Sequence, residues 1–513
     1  MRHAKHHVAI VGAGMGGLAT AADLAHKGFK VSVFDQAAAP GGKLREVQLG
    51  DAAIDAGPTV FTMNWVFEGL FVDAGTRLED HLDLVPASVL ARHAWTDGGR
   101  LDLFASLDRS CAAIRDFAGD RDAAGYREFC ERSALVHASL VDTFMRRPRP
   151  SQAALIGALA RRGLAADGLW AMLRTPPFQS LWRALGSHFR DPRLRQLFGR
   201  YSTYVGSSPL AAPATLMLIA HVEQSGVWLV RGGMRRIADA LQRLGESAGA
   251  TYRYQSPVKE LRVREGRCVG LQLESGETID ADAVVFNGDA HALATGLLGQ
   301  AAMAGGTAMT RDERALSAIT WCLHTPTQGF DLEHHNVFFG DDYPEEFTSI
   351  FKDRRIKHSP TVYLCAQDRG AASRPRARDD HAAAAERMLL LVNAPPDGDV
   401  GGIDDATLER VEKEVFERLE RCGLRIMRNT HASDHSAGVV TRPQDFAALF
   451  PGTGGSLYGR ANHGAFASFV RPGTVTAIKG LYLAGGSVHP GPGIPMATLS
   501  GRIAAQRIAQ DFG

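Results

Sequence analysis

The first thirty-five residues constrain this chain more than any other stretch. His7 to Val11 (HVAIV) is a run of strand formers that stops abruptly at glycine. From Leu18 to Lys27 small and apolar residues recur at helical spacing, and Gly28 ends the pattern. Lys30 to Phe34 (KVSVF) is a second apolar strand. Strand, helix and strand at this spacing form a βαβ unit, and strands joined by a crossover helix lie parallel. The turn between them reads Gly12-Ala13-Gly14-Met15-Gly16-Gly17 and places Gly12, Gly14 and Gly17 as G-x-G-x-x-G. The first glycine makes the tight turn, the second admits a pyrophosphate to the backbone, and the third lets helix and strand pack closely. Asp35 ends the next strand, where an acid accepts hydrogen bonds from ribose hydroxyls. Gly12, Gly14, Met15, Gly16, Gly17 and Asp35 are therefore expected to bind a dinucleotide.

Composition bounds what surrounds this unit. With 513 residues the chain holds two or three folding units. Its 57 basic and 56 acidic side chains leave a net charge of +1, without the excess that marks a nucleic-acid partner. Cys111, Cys130, Cys268, Cys322, Cys365 and Cys422 form no C-x-x-C pair, so neither a metal site nor a disulfide framework is expected, and a cytoplasmic location is. His3, His6 and His7 read as an exposed tail. The basic and apolar N-terminus superficially resembles a signal peptide, but its glycines would break the required helix. The apolar stretch nearest to a membrane span, Leu210 to Val222, is too short and carries Pro213 and His221.

Further along, the pattern alternates between nucleotide-binding segments and other material. The expected division is 1–105 as a first nucleotide-binding part, 106–225 as a helical region, 226–290 as a second nucleotide-binding part, 291–441 as a substrate-binding part, and 442–513 as closure of the nucleotide site. Strands are expected at Val227 to Val230, Thr251 to Tyr254, Val258 to Arg264, Cys268 to Glu274 and Ala283 to Phe286, and a helix at Asp405 to Arg421. The stretch from Ala366 to Arg387 reads as an exposed loop.

The 55 glycines exceed the usual ~7%, and their clusters carry chemistry. Pro40-Gly41-Gly42-Lys43 follows Asp35 directly. Nicotinamide dehydrogenases generally lack this glycine pair, and FAD proteins of the glutathione-reductase type commonly have it. Lys43 would then meet the pyrophosphate or the flavin edge; the other reading is a solvent loop. Gly57-Pro58-Thr59 fixes a compact backbone that brings main-chain N–H groups against a ring system, or forms an ordinary turn. Val258 is either an adenine contact or a structural strand residue. Near the C-terminus an apolar strand runs through Gly485-Gly486-Ser487-Val488-His489-Pro490-Gly491-Pro492-Gly493 into a helix opening with Ile494-Pro495-Met496. A helix N-terminus there stabilises negative charge on a reduced ring, which makes Gly485, Gly486, Gly493, Ile494, Pro495 and Met496 candidates for cofactor binding.

In this order the motifs resemble those of the FAD-dependent carotenoid desaturases of the bacterial phytoene-dehydrogenase type. The resemblance covers nearly the whole chain. It rests on GAGMGGL with PGGK, on DAGPTVFTM at Asp55 to Met63, and on AGGSVHPGPGIP. The Phe61-Thr62-Met63 continuation, Leu449 to Gly455 (LFPGTGG) and Leu457-Tyr458-Gly459-Arg460 are similar to the branch that desaturates 1-hydroxy or 1-methoxy acyclic carotenoids at C-3,4. It implies FAD and an α/β fold. The fold would be a Rossmann-like FAD-binding domain of the glutathione-reductase/amine-oxidase type, interleaved with a substrate domain and a helical membrane-facing region. Many related flavoproteins place an acid where this chain has Gly486, but the carotenoid branch shares the glycine. Val488 and Pro492 stand where small or hydroxylated residues are more usual.

Desaturation removes two hydrogens, and no side chain accepts a hydride, whereas a flavin does. The resemblance thus implies hydride transfer to FAD with loss of a neighbouring proton. No spacing announces a catalytic dyad. His489 is a candidate proton acceptor or a histidine bonded to the backbone; Arg471 would bind a substrate hydroxyl or the flavin, or sit in a surface ion pair. The electron acceptor, oxygen or quinone, leaves no motif. A lipophilic carotenoid implies a protein peripheral to a membrane surface. Leu155, Leu159, Leu164, Leu169, Trp170 and Leu173, beside Arg161, Arg162 and Arg174, would face that surface or pack in the core. The alternatives are a phytoene-type desaturase, a carotenoid isomerase or saturase, an FAD amine oxidase, and a non-enzymatic escort of prenylated proteins.

Overall fold

Short apolar strands from distant parts of the chain build a five-stranded parallel sheet in the spatial order Thr251–Arg253, Lys30–Phe34, His7–Val11, Ala283–Phe286, Leu481–Leu483. The computed structural model that shows this describes residues 6–148, 179–370, 385–427, 438–465 and 467–513. Both faces of the sheet are covered, so its strands are apolar throughout rather than alternating. Val8, Ile10, Val31 and Val33 face a layer of helices, Met15–His26, Arg236–Ser247 and Ile494–Phe512. Ala9, Phe34, Val284 and Phe286 face an antiparallel sheet of Val258–Arg264, Arg267–Leu273 and Thr278–Asp280.

Two expectations at the N-terminus need correction. The first helix starts at Met15, three residues before Leu18, because its glycines are packed against neighbouring backbone and not left to solvent. His6 and His7 are no exposed tail either. His7 opens the central strand, and its ring nitrogens lie 2.8 Å from Asp280 O and 3.1 Å from Ser32 Oγ. The His6 ring packs 4.9 Å from Phe512. His3 lies outside the described residues.

A second, seven-stranded sheet has the order Val439–Thr441, Ser317–Thr325, Glu386–Ala394, Val362–Ala366, His335–Phe338, Val89–Ala94, Arg100–Phe104. The hairpin at Val89–Ala94 and Arg100–Phe104 therefore pairs with this sheet although it precedes residue 105, the expected end of the first nucleotide-binding part. Alternation along Glu386–Ala394 explains the sheet's two faces: Leu390 and Val392 pack under the helix Asp405–Arg421, while Leu389, Leu391 and Asn393 open on a cavity. The ends of the expected loop after Ala366 are tied, not free, by Arg387–Asp368 and Arg369–Glu386 ion pairs at 2.7 and 2.6 Å; residues 371–384 are not described.

Opposite that face stand the helices Leu107–Ala118, Asp120–Leu140, Leu181–His188, Pro192–Gly199 and Leu218–Gln224. Three of them start at caps that satisfy a free N–H: Ser106 accepts from Arg109 N, Ser180 from Arg183 N, and Asp191 from Arg193 N ahead of Pro192. Among the described residues no helix is long and apolar enough to cross a membrane. The leucine and arginine stripe between 155 and 174 lies outside the described residues.

Candidate functional site

Both glycine clusters meet at the carboxyl edge of the parallel sheet. Gly41 N donates to Ala13 O at 2.9 Å and Gly14 bridges to Gly41, so the 12–17 and 40–43 turns form one cradle. Gly17 is not on the cavity wall; a Cβ there would stand 2.0 Å from Gly12 O, so it is the position at which helix and turn touch. At Gly16 a Cβ would lie 2.8 Å from Gly485 N, which brings the C-terminal glycine loop against the first helix. Behind both turns is Asn287, whose Nδ2 donates to Gly12 O at 3.1 Å. Nothing in the local sequence pattern singles out Asn287; it follows the strand Ala283–Phe286, and only the sheet order brings it here.

These turns open into a cavity of about 1550 Å3. Ordinary ligand pockets span roughly 300–1,000 Å3, so there is room for a dinucleotide and a long second molecule. Gly12, Gly14, Met15, Gly16, Asp35, Gly41, Gly42, Lys43, Gly57, Pro58, Thr59, Val258, Gly485, Gly486, Gly493, Ile494, Pro495 and Met496 all line it. The Asp35 carboxylate is held by Ala13 N at 2.6 Å and Ala37 N at 2.7 Å. Thr59 Oγ1 lies 2.6 Å from Tyr363 Oη, and Tyr363 Oη lies 2.8 Å from His335 Nδ1. Val258 also pairs with Leu273, so its strand and cavity roles coexist.

Lys43 is the telling group. Its Nζ donates to Leu457 O at 2.7 Å, and among the described residues no carboxylate lies within ion-pair distance. Burial lowers its pKa to about 8, against the pull of Asp289. A buried cation without a paired acid is costly, and an anionic ligand removes that cost. The N-termini of the helices Met15–His26 and Ile494–Phe512 border the same space and add positive potential.

Two expected candidates turn away from the cavity. His489 is 3% exposed, and its Nε2 lies 3.0 Å from Phe144 O with the two rings edge to face at 4.7 Å. Burial lowers its pKa to about 4. It bonds the backbone behind Phe144, the arrangement expected of the second of its two sequence readings. Arg471 is buried too and donates to the carbonyls of Tyr458, Gly486 and Arg460 at 3.1, 3.4 and 2.6 Å. It is neither a surface ion pair nor a cavity group; it ties three loop carbonyls together. His334, His335 and Cys365 bring three metal-ligand-type atoms within 4.8 Å of one another, a grouping that their spacing in sequence does not announce. Cys365 Sγ lies 3.5 Å from His334 Nε2, His334 Nδ1 lies 3.1 Å from Arg369 O and His335 Nδ1 lies 2.8 Å from Tyr363 Oη, while His335 Nε2 is buried without a hydrogen-bond partner.

A sheet-edge glycine cradle, an unpaired buried lysine and two helix N-termini around one large cavity define a dinucleotide-dependent oxidoreductase. The chain belongs to the flavin containing amine oxidoreductase family, which it matches over residues 15–509, and its cofactor is FAD. It is 47% identical over 507 residues to a hydroxyneurosporene desaturase of Rubrivivax gelatinosus, covering 98% of this chain and 93% of that one. A hydroxyneurosporene desaturase of Cereibacter sphaeroides is 41% identical over 515 residues, covering 100% and 99%. Among solved structures, cyclohexylamine oxidase from Brevibacterium oxydans shares the fold, with a TM-score of 0.54 at 16% identity over 99% of each chain.

Proposed function

We propose that the protein removes two hydrogens from an acyclic 1-hydroxy or 1-methoxy carotenoid and forms the C-3,4 double bond. The observation that carries this reading is the continuity of the glycine cradle with an apolar wall, where Val60, Leu140, Phe144, Leu216, Leu218 and Ile219 line the same cavity. The names of the two bacterial relatives support the same substrate class. Bound in the cradle, FAD supplies the hydride acceptor that side chains lack.

The chain's own residues do the rest. Gly12, Gly14, Met15, Gly16, Gly41 and Gly42 bring backbone to the dinucleotide, and Gly17 sets the helix against the turn. Asp35 takes the ribose and Lys43 neutralises a phosphate or the flavin edge. Gly57, Pro58 and Thr59, with Gly485, Gly486, Gly493, Ile494, Pro495 and Met496, frame the ring, while Val258 meets the adenine. The apolar wall aligns the polyene and excludes water. The released proton passes to solvent or to a group other than His489. Lys43 and Arg200 are among the cations on the cavity wall and weigh against a protonated amine as substrate.

Incubation of the FAD-loaded protein with neurosporene-type carotenoids, with and without a C1 hydroxyl, is expected to give a red-shifted product from the hydroxylated compound. Conversion of phytoene instead would sink the proposal. The substrate dissolves in bilayers, so the protein works peripherally from the cytoplasmic side, with oxygen or a quinone as final electron acceptor. Co-sedimentation with liposomes is the expected result; a protein that stays wholly in the supernatant argues against this location.

A further inference from the structure

Arg200 is a charged group on the cavity wall that the cofactor reading leaves unused. It opens the short helix Arg200–Val205 and lines the cavity beside the apolar wall. Its Nε is buried without a hydrogen-bond partner. The guanidinium lies 5.3 Å from the centre of the Tyr204 ring, and among the described residues no carboxylate stands within ion-pair distance of it. Glu223, the nearest acid on that wall, is occupied: Tyr201 Oη donates to its Oε2 at 2.9 Å, and Tyr204 Oη donates to its Oε1. Burial works against the charge on Arg200, and Tyr204 and Glu223 outweigh burial, so the group stays protonated. The guanidinium thus meets Tyr204 on one side and borders the cavity, where a ligand oxygen can accept from it.

The carotenoid reading, on which this inference rests, offers one such acceptor. We infer that Arg200 binds the C1 oxygen of the substrate and thereby selects 1-hydroxy and 1-methoxy carotenoids over those with a plain hydrocarbon end. A hydroxyl oxygen and a methoxy oxygen both accept a hydrogen bond, and only the hydroxyl donates one. A pure donor therefore reads both, whereas a carboxylate would reject the methoxy compound. A plain end desolvates the guanidinium on the cavity side without offering it an acceptor, which is where the discrimination comes from.

Position agrees with chemistry. The C1 oxygen is three bonds from C3, so its partner has to stand beside the reacting carbons. Arg200, Tyr363 and Thr59 line the same cavity, and the Tyr363 hydroxyl lies 2.6 Å from Thr59 Oγ1 in the turn assigned to the ring. Arg200 and the ring-facing turn thus share one cavity wall.

The test compares kcat/KM, and Kd from quenching of tryptophan fluorescence, for hydroxylated, methoxylated and unsubstituted carotenoids of equal conjugation. FAD-loaded wild type, Arg200→Met and Arg200→Lys are measured, with flavin content checked in each. Arg200→Met is expected to lose roughly 10–100-fold on both oxygenated substrates, in kcat/KM and in Kd, with about the wild-type value on the unsubstituted one. Arg200→Lys should recover part of the loss. An unchanged preference in Arg200→Met overturns the inference, and so does a loss of flavin from it, which would place Arg200 on the cofactor. Should Arg200→Met not fold, Arg200→Gln carries the same comparison. Failure of the wild type to convert any carotenoid is a different result, since it removes the underlying function and needs no variant to be seen.

Discussion

Replacing Gly17 with valine should yield a colourless protein. The absent side chain is what lets the first helix touch the turn: a Cβ would stand 2.0 Å from Gly12 O, far inside contact distance. That oxygen belongs to the backbone and is already fixed by Asn287 Nδ2 at 3.1 Å. The helix must therefore move away from the strand, and overpacking of this type costs about 1–3 kcal/mol or more. The displaced helix N-terminus would no longer point its N–H groups at the pyrophosphate. We expect FAD affinity to fall by on the order of 1,000-fold, read as flavin absorbance retained through gel filtration, together with a lower Tm. Wild-type flavin content in Gly17→Val would show that the close packing is dispensable.

The second large effect concerns Lys43 and pH. Its folded pKa, lowered by burial to about 8, lies below the ordinary value of 10.5. In the apoprotein the cost of keeping the buried ammonium charged is present in full below pH 8. It is relieved as pH rises from about 8 towards 10.5, because the unfolded chain there holds the proton that the folded one has lost. The relief is on the order of 3 kcal/mol at most. An anionic cofactor favours the charged form, so FAD binding takes up a proton in that window. The affinity for FAD should then weaken above pH 8 by up to about tenfold per pH unit. Lys43→Met is expected to bind FAD about 10–100-fold more weakly at pH 7 and to show a flat pH profile. Titration of the apoprotein followed by flavin fluorescence checks both, and a wild-type profile in Lys43→Met would remove Lys43 from the anion site.

Part of this is legible in the sequence alone. The first strand, the turn, the second strand and the acid at Asp35 are contiguous, and spacing within thirty residues specifies their geometry. Gly41, Gly42 and the C-terminal glycine loop were legible for the same reason, since each is a local departure from side-chain sterics. The hairpin at Val89–Ala94 and Arg100–Phe104 was not, because strand propensity says nothing about which sheet a strand joins. His489 misled for a related reason: adjacency to a flavin-type loop in sequence does not say which way a ring points, and this one points at Phe144 O.

What the sequence determined alone is the nucleotide-binding start, the FAD-type continuation and the family to which they belong, because each is written in short-range backbone requirements. What only the tertiary structure decided is the wall of the cavity opposite that cradle. Asn287, Arg200, Glu223 and Tyr363 come from separate segments and carry no spacing signal. Their chemistry exists only once two sheets and a helical layer close around one space, placing a guanidinium beside Tyr204 on a largely apolar wall. Long-range packing creates that environment, and a local pattern cannot encode it.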